Sequence, residues 1–450
     1  MKEQLVVLAV ILFIIYSIYA AAKKPSGRVS ASLGTKSYSL SEIALTDVGT
    51  ALGGAITIGY ISLIFKGGLA FLYAGLCYLL GILMLYALIP TIRRISIDNN
   101  YNTIEDFISH GNIHLKTLVA SVNLFTFLGL YVAQYIVLDD LLKIVMPEYY
   151  FYVYWVFLVG VGVYVAIYGF HGVLRSDFVQ TIFVICWLAC VSYVMYLSFD
   201  QIPKIADLPK NILDGTFYGK SFLIVVTFLF PLTVLARAEH WQRIVAAKDD
   251  DTSRKSFLIL ALVMFIVYLL LALAGLFLRV VSPNTPPNEA PYYFLSVISN
   301  EYFYAVAVLG IIAALATSAD SFLNVCANSM KSLFWKGMID RFGEMHIYRR
   351  CVFAAVILGQ ILMNISSDLG GWVVLASSSV VVIVPGYIWE LLKPSETKIH
   401  SILSIYGGIL CYIFVLSFGL LKIETAFIAG AVGSIVVYMM SRRLKGTIDG

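Results

Sequence analysis

Thirteen stretches of the chain are predominantly apolar over roughly the 20 residues that a helix needs to cross a hydrocarbon core. They fall at about 4–22, 39–66, 68–92, 115–142, 149–169, 174–198, 220–243, 256–281, 299–330, 351–366, 369–392, 399–421 and 424–441. Polar and charged residues collect between them. The hydrophilic stretches at 199–219 and 331–350 are loop-sized, so no soluble domain is expected. In the first stretch, Ala20-Ala21-Ala22 resembles a signal-peptide cleavage site. Its apolar run from Leu5 to Ala22 nevertheless outlasts an ordinary signal core, and Lys23 and Lys24 follow at once, so a retained helix is expected.

Composition agrees with this reading. Of 450 residues, 60% are hydrophobic and 13% charged, against about 45–50% and about 25% in a soluble domain. The mean hydropathy is +0.87. A soluble enzyme, a disordered chain and a nucleic-acid-binding module are excluded. The six Cys all lie in or beside apolar runs, which disfavours a disulfide framework.

Charge placement predicts orientation. With thirteen passes and a cytoplasmic C-terminus, 22 Lys and Arg fall in inside loops, Arg243 among them, and 8 fall outside. That asymmetry is the one expected of cytoplasmic loops. It predicts a multi-pass protein of the plasma (inner) membrane with its N-terminus outside.

Two spans carry helix breakers near their middle. The second contains Thr46-Asp47-Val48-Gly49-Thr50-Ala51-Leu52-Gly53-Gly54. Its glycines fit either close helix packing or an unwound turn whose free carbonyls suit a hard cation. The seventh contains Phe230-Pro231-Leu232-Thr233, five spans later, the spacing of an inverted-repeat transporter. Pro385 in the eleventh is either a further break or a simple kink.

Polar groups at membrane depth mark candidate chemistry. Ala314, Thr317, Ser318 and Ser321 share one helical face, and Asp320 lies among them. An intramembrane carboxylate points to function by default. Asp177 reads as an interfacial N-cap or as a cation ligand. Arg237 and Glu239 snorkel, form a cytoplasmic gate, or, for Arg237, meet an anionic substrate. Tyr131, Gln134, Thr233 and Ser377 to Ser379 can line a site or bond neighbouring helices. Asp139-Asp140 beside Lys143, and Asp249-Asp250-Asp251, read as solvated charge, with a helix starting near Asp251 or Thr252.

Four pieces together resemble the sodium/solute symporter family, whose members carry proline, pantothenate, sialic acid and sugars. They are the Gly-rich second span, Tyr168 to Gln180, Trp241-Gln242-Arg243-Ile244-Val245-Ala246-Ala247-Lys248-Asp249, and Ala313 to Ser321. The resemblance implies an all-α LeuT-type fold of two inverted five-helix repeats, 39–198 and 220–392. These follow an extra helix and linker (1–38), are joined by an external loop (199–219), and precede two C-terminal helices and a short tail (393–450). It implies a Na+ site formed by carbonyls of Gly49, Leu52 and Ala314 with the hydroxyls of Thr317 and Ser318. A second cation site would involve Asp177, Thr317, Asp320 and Ser321. The chain departs from its relatives at Ala51 and Ile56, apolar where the family carries acidic or sugar-binding groups. A sugar is thereby disfavoured. Thr50, Ala51, Gly53 and Gly54, with Tyr131, Gln134 and Thr233, are the solute-binding candidates, and the amides at the break favour a carboxylate.

The expectation is a sodium-coupled importer of a small organic solute, an amino acid or organic acid, within the lipid bilayer. A proton-coupled carrier and a solute sensor are the alternatives. With so short a stretch after Lys445 a fused signalling domain is not expected, and no constellation suggests an enzyme.

Overall fold

The structure is a computed structural model that describes residues 2–22, 30–198, 210–213, 215–334, 336–367, 369–392, 398–421 and 423–448. Lys23, Lys24 and Arg28, most of the 199–219 connection, and Lys393 and Lys422 lie outside the described residues.

Helix α1 (Lys2–Ala21) precedes α2 (Leu40–Ala51), whose first turn is fixed by the Ser39 amide donating to Glu42 at 2.8 Å. Gly53, with ψ 166°, leaves the helical region and ends α2. The span resumes as α3 (Gly54–Thr57) and α4 (Gly59–Gly67). Of the two readings of these glycines, the chain shows a break, and close packing accompanies it.

Next come α5 (Leu69–Asp98), the short α6 (Ile104–Ser109) and α7 (Ile113–Val145), the last two capped by the Thr103 and Asn112 side chains. Helix α8 (Tyr150–Leu197) is 48 residues long. At 1.5 Å per residue that is about 70 Å, twice a membrane core of roughly 30 Å. It folds back at Gly169, where φ is 57° and ψ is −146°. The fold-back brings Gln180 Nε2 to 3.2 Å from the Tyr164 hydroxyl, which it donates to. Sixteen residues of straight helix would hold the two about 24 Å apart. The sequence pattern places a gap at 170–173 between two spans; one glycine makes the turn instead, so Asp177 lies well inside a helix and is not an N-cap.

Helix α9 (Lys210–Leu213) leads to α10 (Lys220–Phe228), α11 (Phe230–Leu235) and α12 (Ala238–Ala246). The expected break at Pro231 is slight. Proline in a first helical turn gives up an amide that has no helical partner there, and the 44° bend falls at Ala236–Arg237. Helix α13 (Asp250–Val281) starts one or two residues before the Asp251 or Thr252 expected from sequence. Asp249 caps it, accepting from the Thr252 amide at 2.7 Å, and hydrogen bonds from the Thr252 side chain and amide hold its carboxyl below the usual range. Asp250 is not simply solvated: it pairs with Arg93 at 2.6 Å.

The remaining elements are α14 (Tyr293–Ser296), α15 (Glu301–Ser332), α16 (Lys336–Phe342), α17 (Glu344–Ile365), α18 (Leu369–Ser379), α19 (Val384–Leu392), α20 (Ile399–Ser417) and α21 (Ile423–Ile448). A 3-10 turn, Val380–Ile383, precedes Pro385. All thirteen apolar stretches coincide with helix. Among the described residues nine helices are long and apolar enough to cross a membrane, or ten with the bent pair.

Helix α15 is the axis of the bundle. Its apolar window is 94% buried, against 33% for α17 and α20, and it packs on α8, α7, α2, α17 and α1. Its outer neighbours expose Leu, Ile and Phe, the surface expected where lipid is the solvent.

At Gly169 any side chain would be strained by the positive φ, and a Cβ would sit 2.8 Å from the Ala31 carbonyl oxygen. Gly169→Ala is therefore expected to cost about 1–3 kcal/mol. The loss would read as a lower thermal-unfolding midpoint in detergent; an unchanged midpoint would mean the turn is made some other way.

Candidate binding site

The site forms where α2 stops against the small-residue face of α15. A Cβ on Gly49 would lie 2.8 Å from Thr317 Oγ1 and 2.6 Å from Thr181 Oγ1. One on Gly53 would lie 1.7 Å from Ser318 Oγ. Glycine at these two positions lets the α2 backbone reach the α15 hydroxyls. Ser318 Oγ donates to the Thr50 carbonyl at 2.8 Å, and the Thr50 and Ser321 hydroxyls pair at 2.8 Å. Leu52 and Ala314 are both buried. Gly49 and Thr50 thus meet Thr317, Ser318 and Ser321 at one place, rich in the oxygen donors that a hard cation takes, with Leu52 next to the break and Ala314 one turn before Thr317 on α15.

Asp177 is buried in α8 beside this contact. Its carboxylate accepts from Thr317 Oγ1 at 2.5 Å and from the Thr46 hydroxyl. Asp320 lies on a different face of α15, where it accepts from the Tyr164 hydroxyl at 2.6 Å and Ser176 Oγ at 3.1 Å. The candidate second cation set is therefore divided: Asp177, Thr317 and Ser321 join one network, and Asp320 belongs to a neighbouring one.

Residues of this contact open onto a cavity of about 620 Å³. Thr50, Ala51, Gly53 and Ser318 line it from the contact, together with Gln134, Thr233 and Arg237 and with Lys66, Asp140 and Asn288. Aromatic rings, among them Tyr78, Phe230, Tyr268 and Phe322, make up much of the wall. Two expected solute contacts fall elsewhere. Gly54 is not among the lining residues, although it adjoins one: a Cβ there would meet the Leu315 side chain at 2.1 Å and Gln134 Oε1 at 3.5 Å. Tyr131 is fully buried against Tyr135 and Gly359. Arg237 does not snorkel; it pairs with Glu239 and lies 5.9 Å from the Phe127 ring centroid.

Three residues at the heart of the site were not expected there. Arg243, counted above among loop charges, is buried, and its Nη2 donates to the Thr50, Ser321 and Thr46 hydroxyls at 2.5, 2.9 and 3.1 Å. Asp47 lies 3.4 Å from Arg243 Nε and 3.7 Å from His240 Nδ1. His240 in turn shares a 2.9 Å hydrogen bond with Tyr78. The rule for carboxylates at membrane depth applies to Asp47 as it does to Asp320. Hydropathy and helical period do not distinguish Arg243 from a loop arginine; its one signal is its place in the Trp241–Asp249 piece of the resemblance.

The backbone is similar to solved transporters. A Na+-coupled sialic acid symporter, in a substrate-bound outward-open state, superposes with a TM-score of 0.76 at 11% identity over 99% of this chain and 98% of the other. The fold is of the LeuT type. Mhp1, a nucleobase-cation-symport-1 family transporter with bromovinylhydantoin bound, follows at 0.56 and 14% identity, covering 94% and 95%. MhsT in complex with L-phenylalanine gives 0.53 and 14%, covering 89% and 97%. No protein-family model and no curated sequence matches the chain.

Because a Cβ on Gly53 would collide with Ser318, Gly53→Ala is expected to force α2 from α15 and cost about 1–3 kcal/mol. Gly59→Ala, with open space around the new methyl, should cost nothing. Equal thermal midpoints for the two variants would refute the close approach.

Proposed function

We propose that the chain is a sodium-coupled secondary transporter that imports a small organic solute by alternating access. The observation that carries this is the junction of the α2 break with the Thr317–Ser318 face of α15, which helps line a solute-sized cavity. A sodium ion at Gly49, Leu52, Ala314, Thr317 and Ser318 would tie α2 to α15. Thr50, Ala51 and Gly53, on the same backbone turn, would touch the solute. Ordering that turn with either ligand favours the other, and by linkage the two must raise each other's affinity by the same factor. The similarity to a Na+-coupled symporter supports the same reading.

For the solute, apolar Ala51 and Ile56 and the aromatic walls leave few partners for a polyhydroxylated molecule. Arg237 supplies a positive charge on the cavity side, beside Gln134 and Thr233. An amino acid or organic acid, with a carboxylate and an apolar body, suits this lining. The Arg237–Glu239 pair would act as part of a gate at the bend between α11 and α12. Residues 39–198 and 220–392 would be the inverted repeats, each opening with an interrupted span. The C-terminus would face the cytoplasm of the plasma membrane.

One observation favours a second reading. Asp47 and Asp320 are buried carboxylates with oxygens that lack a hydrogen-bond partner. Groups of that kind can carry protons, so a proton-coupled carrier is the competing mechanism.

Purified protein should gain thermal stability from a cognate amino or organic acid in NaCl and not in choline chloride. A ligand at a hundredfold its Kd stabilises by about 2.7 kcal/mol. Ser318→Ala and Thr317→Ala should each remove the sodium dependence. Equal stabilisation in sodium, potassium and choline would reject the sodium site, and uptake driven by a pH gradient alone would establish the proton-coupled reading.

A further inference from the structure

We propose that the guanidinium of Arg243 is a tethered cation that fills the second cation position, so that the transporter binds one free sodium ion and not two. This inference rests on the sodium-coupled reading above for its functional meaning. Its geometry is independent of that reading.

Asp177 and Ser321, the oxygen donors that could hold a second ion between α8 and α15, already face Arg243. Nη2 lies 2.9 Å from Ser321 Oγ, 2.5 Å from Thr50 Oγ1, 3.1 and 3.3 Å from the Thr46 hydroxyl and carbonyl, and 3.9 Å from Asp177 Oδ2. One nitrogen thus sits among oxygens drawn from α2, α8 and α15, as an ion would. Nη1 donates to the Glu239 carbonyl at 3.0 Å, within α12 itself, and Nε faces Asp47 at 3.4 Å. An arginine side chain only donates and keeps its charge at any ordinary pH. While it is there, no sodium ion can share those oxygens.

The electrostatics point the same way. Asp47 and Asp177 are buried, and an isolated buried carboxylate is costly unless it is paired. Arg243 is the cation nearest to both. A free ion would supply that charge only when sodium is abundant, whereas a guanidinium on α12 supplies it always. Because α12 follows the bend in its span, the same charge also ties the second half of the chain to α2. Removing it should leave two carboxylates and several hydroxyls around an emptied space that a sodium ion can enter.

The test counts radiolabelled sodium bound to the full-length purified protein, competed with unlabelled sodium in choline chloride. Wild type should bind one ion per chain, Arg243→Ala two, Arg243→Lys one, and Arg243→Ala with Asp177→Asn one again. A purely structural arginine would not create a sodium site when lost. Two ions in the wild type, or no gained ion in folded Arg243→Ala, would overturn the proposal. Arg243→Gln carries the same test if the alanine variant is not recovered. If neither is recovered folded, the wild-type count decides: one ion supports the proposal and any other count overturns it. Ser318→Ala separates the two readings. If the wild type binds no sodium but Arg243→Ala gains an ion, the sodium site proposed at Ser318 fails while the role of Arg243 stands.

Discussion

An interrupted helix inside a bilayer exposes amides and carbonyls that no water can satisfy, and the rest of this bundle is arranged around that demand. At Leu52–Gly53 the chain leaves the helix, and the Thr50 carbonyl is met by Ser318 from α15. This works only because α2 carries glycine where α15 carries hydroxyls. A methyl at Gly53 would overlap the Ser318 oxygen. The small residues of α15 allow the approach, and the burial of α15 on every side holds it in register.

The same contact concentrates charge. Asp47 and Asp177 come from different helices, and each would be expensive alone. Arg243 reaches both from α12, so the two interrupted spans are joined by a buried ionic network as well as by packing. Replacing such networks with apolar side chains is often neutral for stability. Its placement against the break, on the Thr46, Thr50 and Ser321 hydroxyls, therefore fits the proposed part in ion binding. Arg237, six residues earlier, faces the cavity instead, so one short segment serves the cavity and the ionic network.

Much of this architecture was legible in the residues. The spans and the Ala314–Thr317–Ser318–Ser321 face follow from hydropathy and helical period, both local properties, whereas the glycines of the second span left a break and close packing equally open. Errors came where local sequence admits two outcomes. Pro231 marks a break in the abstract, but at the start of a turn it fits a helix, and the bend moved to Ala236–Arg237. Asp177 resembles a cap only if the chain is non-helical before it, and Gly169 turned the corner in a single residue. Tyr131 is on the same helix as Gln134, yet it faces α17 and not the cavity.

By itself the sequence determined a multi-helix membrane protein with a weakened second span and an oxygen-bearing ninth. Apolar run length and the fixed periodicity of a helix are enough for that. Only the tertiary structure decided which polar groups meet. Arg243 and Asp47 are nearly 200 residues apart, and Asp320 and Asp177 are both acids at membrane depth with nothing local to tell their partners apart. Which carboxylate faces an arginine, which a tyrosine and which the hydroxyls of α15 depends on how the helices rotate against one another. That rotation is set by close packing such as that of Gly49 and Gly53 against α15, and it is a property of pairs of helices that no single span contains.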